Sequence, residues 1–553
     1  MSAPLQPKLS TNIASHLPAM ARLDPARPAI IAPDGKGGWR TMTFGQLDTL
    51  SDRIAHGLAA IGVTRGARTV LLAPPSFEFF PLVFAIFKVG AVMVAIDPGI
   101  GRKALLACLD EVKADAFIGV PAAHVARLLF PGPFRTVKAN VTVGRRFLWG
   151  GHSLDEVKAL GKDEPYPMVD PAKGETAAIL FTSGSTGIPK GAVYSHEIFD
   201  AQVRLIRDAY RITPGEIDLP TFPLFALFDP ALGMTAVLPD MDFRFPAKAD
   251  PRKLIDAMTT HGCTSMFGSP ALIDNLGRYG VAHGVRLPGL KRVLSAGAPV
   301  RVDVLENLTK LLGPDAQIFT PFGATESLPV ASIGSHEVLA DTGKLAMQGK
   351  GVCVGRPVPE ITVRVIEISD APIATWAEAR EVPQGVVGEI TVAGPVVTRE
   401  YWARPEQTKL AKIQDGDRVV HRMGDVGYLD EIGRLWMCGR KGHRVVTASG
   451  TLFTTPVEEV INQHEAVRRS ALVGVGPAGA QVPVLLLERE AEQGPTDGAL
   501  VQAVKELAAR HETTRRVAHV YVYPGEFPVD RRHNAKIERE RLAVWATKKG
   551  LGR

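Results

Sequence analysis

Residues 180–196 read LFTSGSTGIPKGAVYSH: an apolar run, then ten residues dense in Gly, Ser and Thr with one lysine, then the approach to an amphipathic helix from about Glu197. This composition suits a phosphate clamp. Glycines such as Gly184 and Gly187 let backbone N–H groups come close to phosphate oxygens. The hydroxyls of Thr182, Ser183, Ser185 and Thr186 can donate hydrogen bonds, and Lys190 adds a cation. The loop is not of the Walker type. No glycine stands directly before Lys190, and Gly191 follows it where Ser or Thr would hold magnesium. Gly/Ser density is also common in flexible linkers. The apolar strand before the loop, Pro189 beside Lys190 and the absence of repetition favour the clamp.

Outward from this loop, the 553 residues exceed what one hydrophobic core usually supports, so at least two domains are expected. From about residue 25 to 330, short β-branched runs alternate with longer amphipathic stretches, which predicts layered α/β subdomains with largely parallel strands. Between Gly355 and Trp436 the texture turns strand-rich, as in ITVRVIEI (361–368) and VGEITVAG (387–394). The organisation read from this is a large domain over 1–439 with 355–438 as its β-rich part. A hinge at GRKG (439–442) then leads to a small α/β lid domain over 440–553.

A net charge of +6 over this length, with no long basic run, argues against nucleic acid as a partner. Cys108, Cys263, Cys353 and Cys438 are too scattered for a metal or redox motif, and the polar, proline-punctuated start lacks a continuous apolar stretch, so a cytoplasmic protein is expected. The segment FEFFPLVFAIFKVGAVMVAI (77–96) is apolar, but Glu78, Lys88 and Gly90 break it into runs far below the roughly 20 residues of a membrane span. A buried helix followed by a buried strand is expected there, and no transmembrane segment.

The motif TSGSTGIPKG resembles the signature loop of the ANL superfamily of acyl-CoA synthetases, peptide-synthetase adenylation domains and luciferases. Other motifs of that family follow in order. LSAGAP (294–299) is similar to its adenine-wall segment, which implies a nucleotide-binding role for Ala296, Gly297, Ala298 and Pro299. TPFGATE (320–326) resembles the motif that closes the nucleotide site. It implies Thr320 and Gly323 among the nucleotide-binding residues, Phe322 stacked on adenine, Thr325 on the α-phosphate and Glu326 on Mg2+. An aromatic face for a base, a hydroxyl donor and a hard oxygen ligand are sensible choices for these tasks. HRMGDVGYLDEIGRLWMCGR (421–440) resembles the ribose motif, giving Asp425 to the ribose hydroxyls and Arg440 to the domain junction. Near the end, FPVDRRHNAKIERERL (527–542) supplies Lys536 as the family's adenylating lysine. The resemblance spans nearly the whole chain and implies ATP and Mg2+ as cofactors and a small-molecule carboxylic acid as substrate.

Three positions depart from thioester-forming relatives. Gly442 stands where they usually carry Asp or Lys, VVTASGTLFTTPVEE (445–459) replaces their glycine loop, and Ala535 precedes Lys536 in place of glycine. The terminal segment FPVDRRHNAKIERERLAVWA is similar to that of one branch, the olefin-biosynthesis β-lactone synthetases. That resemblance implies a long-chain 2-alkyl-3-hydroxyalkanoic acid whose own hydroxyl closes the ring after adenylation. It also implies assembly with other olefin-pathway enzymes, namely a thiolase-like condensing enzyme, a reductase and a β-lactone decarboxylase. Long-chain acyl-CoA synthesis and a non-catalytic nucleotide- or acyl-binding module stay open as alternatives. The sequence gives no warrant for a particular general base: His196 is a candidate, although by the resemblance a histidine there commonly helps shape the acyl or phosphate site, and His443 and His533 are weaker options, with surface positions as the alternative. PTFPLFALFDPALGM (220–234) falls where relatives line the acyl site, so Phe222, Leu224, Phe225 and Phe228 are expected in the substrate pocket, with core packing as the alternative for each.

Overall fold

The computed structural model describes residues 10–182, 189–490, 494–529 and 536–552. Two large sheets form the N-terminal part. The first has seven strands in the order His152–Ser153, Ala139–Thr142, Ala116–Gly119, Arg68–Leu72, Val92–Ala95, Thr176–Thr182 and Lys190–Ser195. All its neighbours are parallel except the last pair. The second sheet runs parallel through Arg292–Leu294, Ser265–Phe267, Ile217–Pro220, Thr235–Val237 and Pro28–Pro33. Beyond Arg440 a smaller C-terminal part holds the three-stranded sheet Val467–Val475, Val482–Arg489 and His519–Val522, with its own core around Leu485, Leu487 and Val504. The layered α/β expectation matches this architecture.

Two local features go beyond the sequence reading. First, the strand-rich region 355–438 continues a sheet that earlier strands already belong to. Strands Gln317–Ala324 and Ser327–Gly334 already pair antiparallel, and Val352–Pro357 carries the same sheet on to Leu435–Arg440, Arg418–Leu429, Gly388–Ala393 and Thr362–Ile366. A two-residue turn at Thr325 and Glu326 reverses the chain there, so no crossover helix is needed and the α/β texture gives no warning. Second, the helix starts where expected, at His196, but a strand precedes it. Lys190–Ser195 is a strand antiparallel to Thr176–Thr182, with Lys190 opposite Thr182 and Gly191 opposite Phe181. Val193 and Tyr194 suit a pleated surface, and the helix His196–Tyr210 starts only after them.

The apolar segment at 77–96 behaves as expected. Helix Phe79–Val89 is buried along its whole length, and strand Val92–Ala95 follows. Lys88 Nζ is held at 2.6 Å by both Asp48 and Asp52, which compensates a cation buried in the core. No helix among the described residues is long and apolar enough to cross a membrane.

Candidate active site

One cleft of about 2110 Å³ opens between the two large sheets, at the C-terminal ends of their parallel strands, where open α/β sheets place their ligands. It gathers residues from widely separated stretches of sequence. Ala296, Gly297, Ala298 and Pro299, then Thr320, Phe322, Gly323, Thr325 and Glu326, line it together with Lys190, Asp425, Arg440 and Lys536. Phe222 and Phe225 line its apolar side. Ser183, Gly184, Ser185, Thr186 and Gly187 lie outside the described residues, as do the side chains of Thr182 and Leu224 and the whole of His533 and Ala535.

Local folding explains several of these positions. Thr325 and Glu326 are the two turn residues between strands that close as Ala324 opposite Ser327, so both project from the end of a hairpin. A Cβ at Gly323 would come within 2.8 Å of the Ser327 carbonyl oxygen, which fixes glycine there. Gly297 has φ +102°, a backbone setting that L side chains rarely adopt. Asp425 and Arg440 face each other across adjacent antiparallel strands, and Arg440 Nη1 donates to Asp425 Oδ1 at 2.9 Å. Burial raises the pKa of Asp425, while Arg440 and Lys536 oppose that shift.

Glu326 sits in a buried charged network that the sequence motifs did not announce. Tyr401 Oη donates to Glu326 Oε1 at 2.5 Å. Lys190 Nζ stands 4.6 Å from the centre of the same tyrosine ring, a cation–π contact. Behind them Lys412 is buried and donates from Nζ to Thr398 Oγ1 at 3.1 Å, while Thr398 in turn donates its backbone N–H to the Glu326 carbonyl at 2.9 Å. Burial pulls the Lys412 ammonium down to about 7 and also lowers Lys190, with Glu326 opposing both. Tyr194, on the strand after the loop, hydrogen-bonds the Thr325 carbonyl oxygen. The apolar side holds a further aromatic residue, Phe267, stacked on Phe225 at 4.0 Å and 6.2 Å from Phe222. Phe267 ends a buried strand just before GSP, the one local sign that it reaches the cleft.

Two expected residues are not brought to the cleft. His196 is 1% exposed, and its Nδ1 accepts from the Ile13 backbone N–H at 3.4 Å beside the Phe87 ring. Burial lowers its pKa to about 4, so it is a neutral packing residue, and helix His196–Tyr210 turns it inward from its first position. Phe228 begins a new short helix after Leu227 and packs 6.5 Å from Phe199 in the main core. His443 does line the cleft, with Nε2 2.9 Å from Glu540 Oε1. Among the described residues no cluster of three or more metal-ligating side chains occurs. Magnesium in phosphate sites is commonly held by one or two carboxylates together with substrate phosphates, and Glu326 fits that pattern.

A cleft that joins a side lined by Lys190, Arg440 and Lys536 to an apolar pocket is the arrangement of an adenylate-forming enzyme, and the comparisons with known proteins agree. The chain belongs to the AMP-binding enzyme family, whose pattern matches residues 17–402. It is 51% identical over 552 residues to an olefin beta-lactone synthetase of Stenotrophomonas maltophilia, covering 97% of this chain and 98% of that one. It is 50% identical over 548 residues to an olefin beta-lactone synthetase of Xanthomonas campestris, covering 97% of each. Among solved structures, the amide bond synthetase McbA from Marinactinospora thermotolerans shares the fold, with a TM-score of 0.80, 21% identity and coverage of 97% of this chain and 99% of that one.

Proposed function

We propose that the protein activates a long-chain 2-alkyl-3-hydroxyalkanoic acid as its acyl-AMP, releasing pyrophosphate, and that the acid's own 3-hydroxyl then closes a β-lactone and releases AMP. The single observation that carries the first half is the convergence of Lys190, Thr325, Glu326, Asp425, Arg440 and Lys536 on one cleft with an aromatic apolar side. Near full-length identity of about half to two olefin beta-lactone synthetases supports the second half.

The carboxylate oxygen attacks the α-phosphorus, and the bond to pyrophosphate breaks. Lys536 and the Thr325 hydroxyl stabilise the negative charge that gathers on the phosphate oxygens. Phe322 stacks on adenine, and Asp425, steadied by Arg440, accepts from the ribose hydroxyls. Glu326 is the residue that would hold Mg2+, which supplies charge neutralisation at the phosphates. In the second step the tethered hydroxyl attacks the mixed anhydride. Tethering raises the effective concentration to the order of 10⁵ M or more, so no thiol has to be recruited. The region after Arg440 acts as the lid, and Gly442, lacking the pivot side chain of thioester-forming relatives, agrees with a reaction completed without a large rotation. Four unpaired, buried cysteines support a cytoplasmic setting.

The deciding experiment supplies a racemic 3-hydroxy acid, ATP and magnesium without CoA. The expected products are AMP, pyrophosphate and a β-lactone carbonyl visible by infrared spectroscopy. Turnover that requires CoA and yields a thioester would replace this reading with acyl-CoA synthesis.

A further inference from the structure

Exposed large apolar side chains concentrate on one face of the first sheet's helical layer. Val125, Leu128 and Leu129 on helix Pro121–Leu129 and Phe147 on the loop after strand Ala139–Thr142 are between 46% and 69% exposed, and Leu148 is fully exposed. Trp149 joins the two groups. Its ring stacks on His124 at 5.6 Å and lies 5.1 Å from Phe147, and its carbonyl accepts from Arg127 Nη2 at 2.9 Å. A soluble surface pays for such a patch unless something covers it.

The charge within the stretch that carries the patch has one sign. No acidic residue occurs between Asp115 and Asp155, whereas Arg127, Arg135, Lys138, Arg145 and Arg146 do. Arg145 lies over the Phe147 ring at 5.2 Å. The only ion pairs from this set among the described residues reach outside the stretch, Arg135 to Asp110 at 3.7 Å and Arg146 to Glu156 at 2.8 Å. Cations flanking a Phe–Leu–Trp tip form the pattern that sits at a bilayer interface, rings at headgroup depth and basic groups on phosphates.

The same helix also borders the cleft. Ala122, Ala123, Ala126 and Phe130 line the cleft's apolar arm opposite Leu105 and Leu109. At about 100° per residue, Val125 and Leu129 fall directly beside Ala122 and Ala126 on the helix surface. The exposed patch and the apolar arm are therefore adjacent faces of one helix.

We propose that this face docks on an anionic lipid surface and that helix Pro121–Leu129 is the threshold across which the hydrophobic acid passes from bilayer to cleft. Docking stands on the patch alone; the passage of the acid rests on the function proposed above. The test is sedimentation of the full chain with vesicles of phosphatidylcholine alone or mixed with phosphatidylglycerol, with no substrate present. Wild type should pellet with the anionic vesicles only, and less as salt rises. Phe147→Ser combined with Leu148→Ser, and separately Arg145→Gln with Arg146→Gln, should each weaken partitioning by about tenfold or more. Both variants should keep wild-type ATP–pyrophosphate exchange with a short, water-soluble acid, which shows that they fold. Wild type that stays in the supernatant overturns the docking proposal, as does binding indifferent to both variants. Self-association lost in the Phe147/Leu148 variant, without vesicle binding, overturns it in favour of a protein contact. With a long-chain acid embedded in the vesicles, both variants should turn over more slowly. Normal turnover there with impaired vesicle binding would refute the passage while leaving docking and the lactone reaction untouched.

Discussion

Replacing Tyr401 with phenylalanine should slow adenylation while leaving the protein folded. The lost hydroxyl donates to Glu326 Oε1 at 2.5 Å, and the two residues are only 4% and 9% exposed, so water cannot readily take its place. A hydrogen bond to a charged group is worth about 1.5–3 kcal/mol, which corresponds to roughly 10- to 150-fold in rate or affinity. Phenylalanine keeps the ring that lies 4.6 Å beneath Lys190, so the change isolates the hydroxyl. Tyr401→Leu removes the cation–π contact as well and should cost a further 0.5–2 kcal/mol, approximately. Once released from Tyr401, the Glu326 carboxylate is free to turn toward Lys190 or Lys412, the two cations that already act on it electrostatically, and is then poorly aimed at a metal. The assay is ATP–pyrophosphate exchange titrated with magnesium. The phenylalanine variant should need more magnesium for half-maximal exchange and reach a lower maximum, with an unchanged urea midpoint. Exchange within twofold of wild type for Tyr401→Phe, with the whole loss appearing only in Tyr401→Leu, would refute the hydroxyl's role and leave the ring as the contributor.

Lys536→Ala should abolish ATP–pyrophosphate exchange while nucleotide binding, followed by fluorescence of a labelled ATP, persists; normal exchange would remove this lysine from the reaction. Asp425→Asn should raise the KM for ATP more than it lowers kcat, because a neutral amide no longer pairs with Arg440 and accepts less strongly from ribose; equal effects on deoxy-ATP and ATP would show the ribose contact to be absent. Stability should decline as pH falls from about 6.5 to about 4, because the unfolded chain protonates His196 at the ordinary value while the folded chain resists until about 4; the full loss is on the order of 3 kcal/mol. Urea midpoints at neutral and mildly acidic pH measure it, and a His196→Gln variant with the same pH slope would assign the loss elsewhere, for example to the buried His421, which burial shifts in the same direction. Gly442→Asp should fold normally, since an added Cβ there meets nothing within 4 Å, and should still make lactone when CoA is present; a thioester product would mean that this one position selects the nucleophile.

The parts of the site legible in sequence are those whose chemistry is local. Thr325 and Glu326 can be read together because a tight hairpin turn keeps neighbours in sequence neighbours in space. Asp425 and Arg440 belong to one hairpin and face each other by strand register, so a single motif contains both. Locality also misled: His196 follows the phosphate loop closely, yet the strand Lys190–Ser195 intervenes and the helix start turns the ring toward Ile13. Phe228 lies three residues after Phe225, but Leu227 separates two short helices and the two rings part company.

What could not be read depends on docking between distant segments. Tyr401 reaches Glu326 because the chain around it is laced to the strand after the loop, with Val193 N–H donating to the Glu400 carbonyl at 3.2 Å and Trp402 N–H to that of Gly191 at 2.7 Å. No period or motif in the YWARPEQTKLAK stretch announces that bond. Lys412 is equally silent in sequence, being one lysine among many in a polar helix–strand connection, and only the fold reveals that it is buried, bonded to Thr398, with Glu326 partly offsetting the effect of burial on its charge. The consequence is a division of labour that the sequence alone obscures. Motif residues line the cleft, while Tyr194, Tyr401 and Thr398 from the ladder between the two sheets hold those residues in place. A substitution that loosens the ladder without touching the nucleotide should therefore impair the first half-reaction as surely as one within a motif, and the Tyr401 pair of variants is the most direct way to see it.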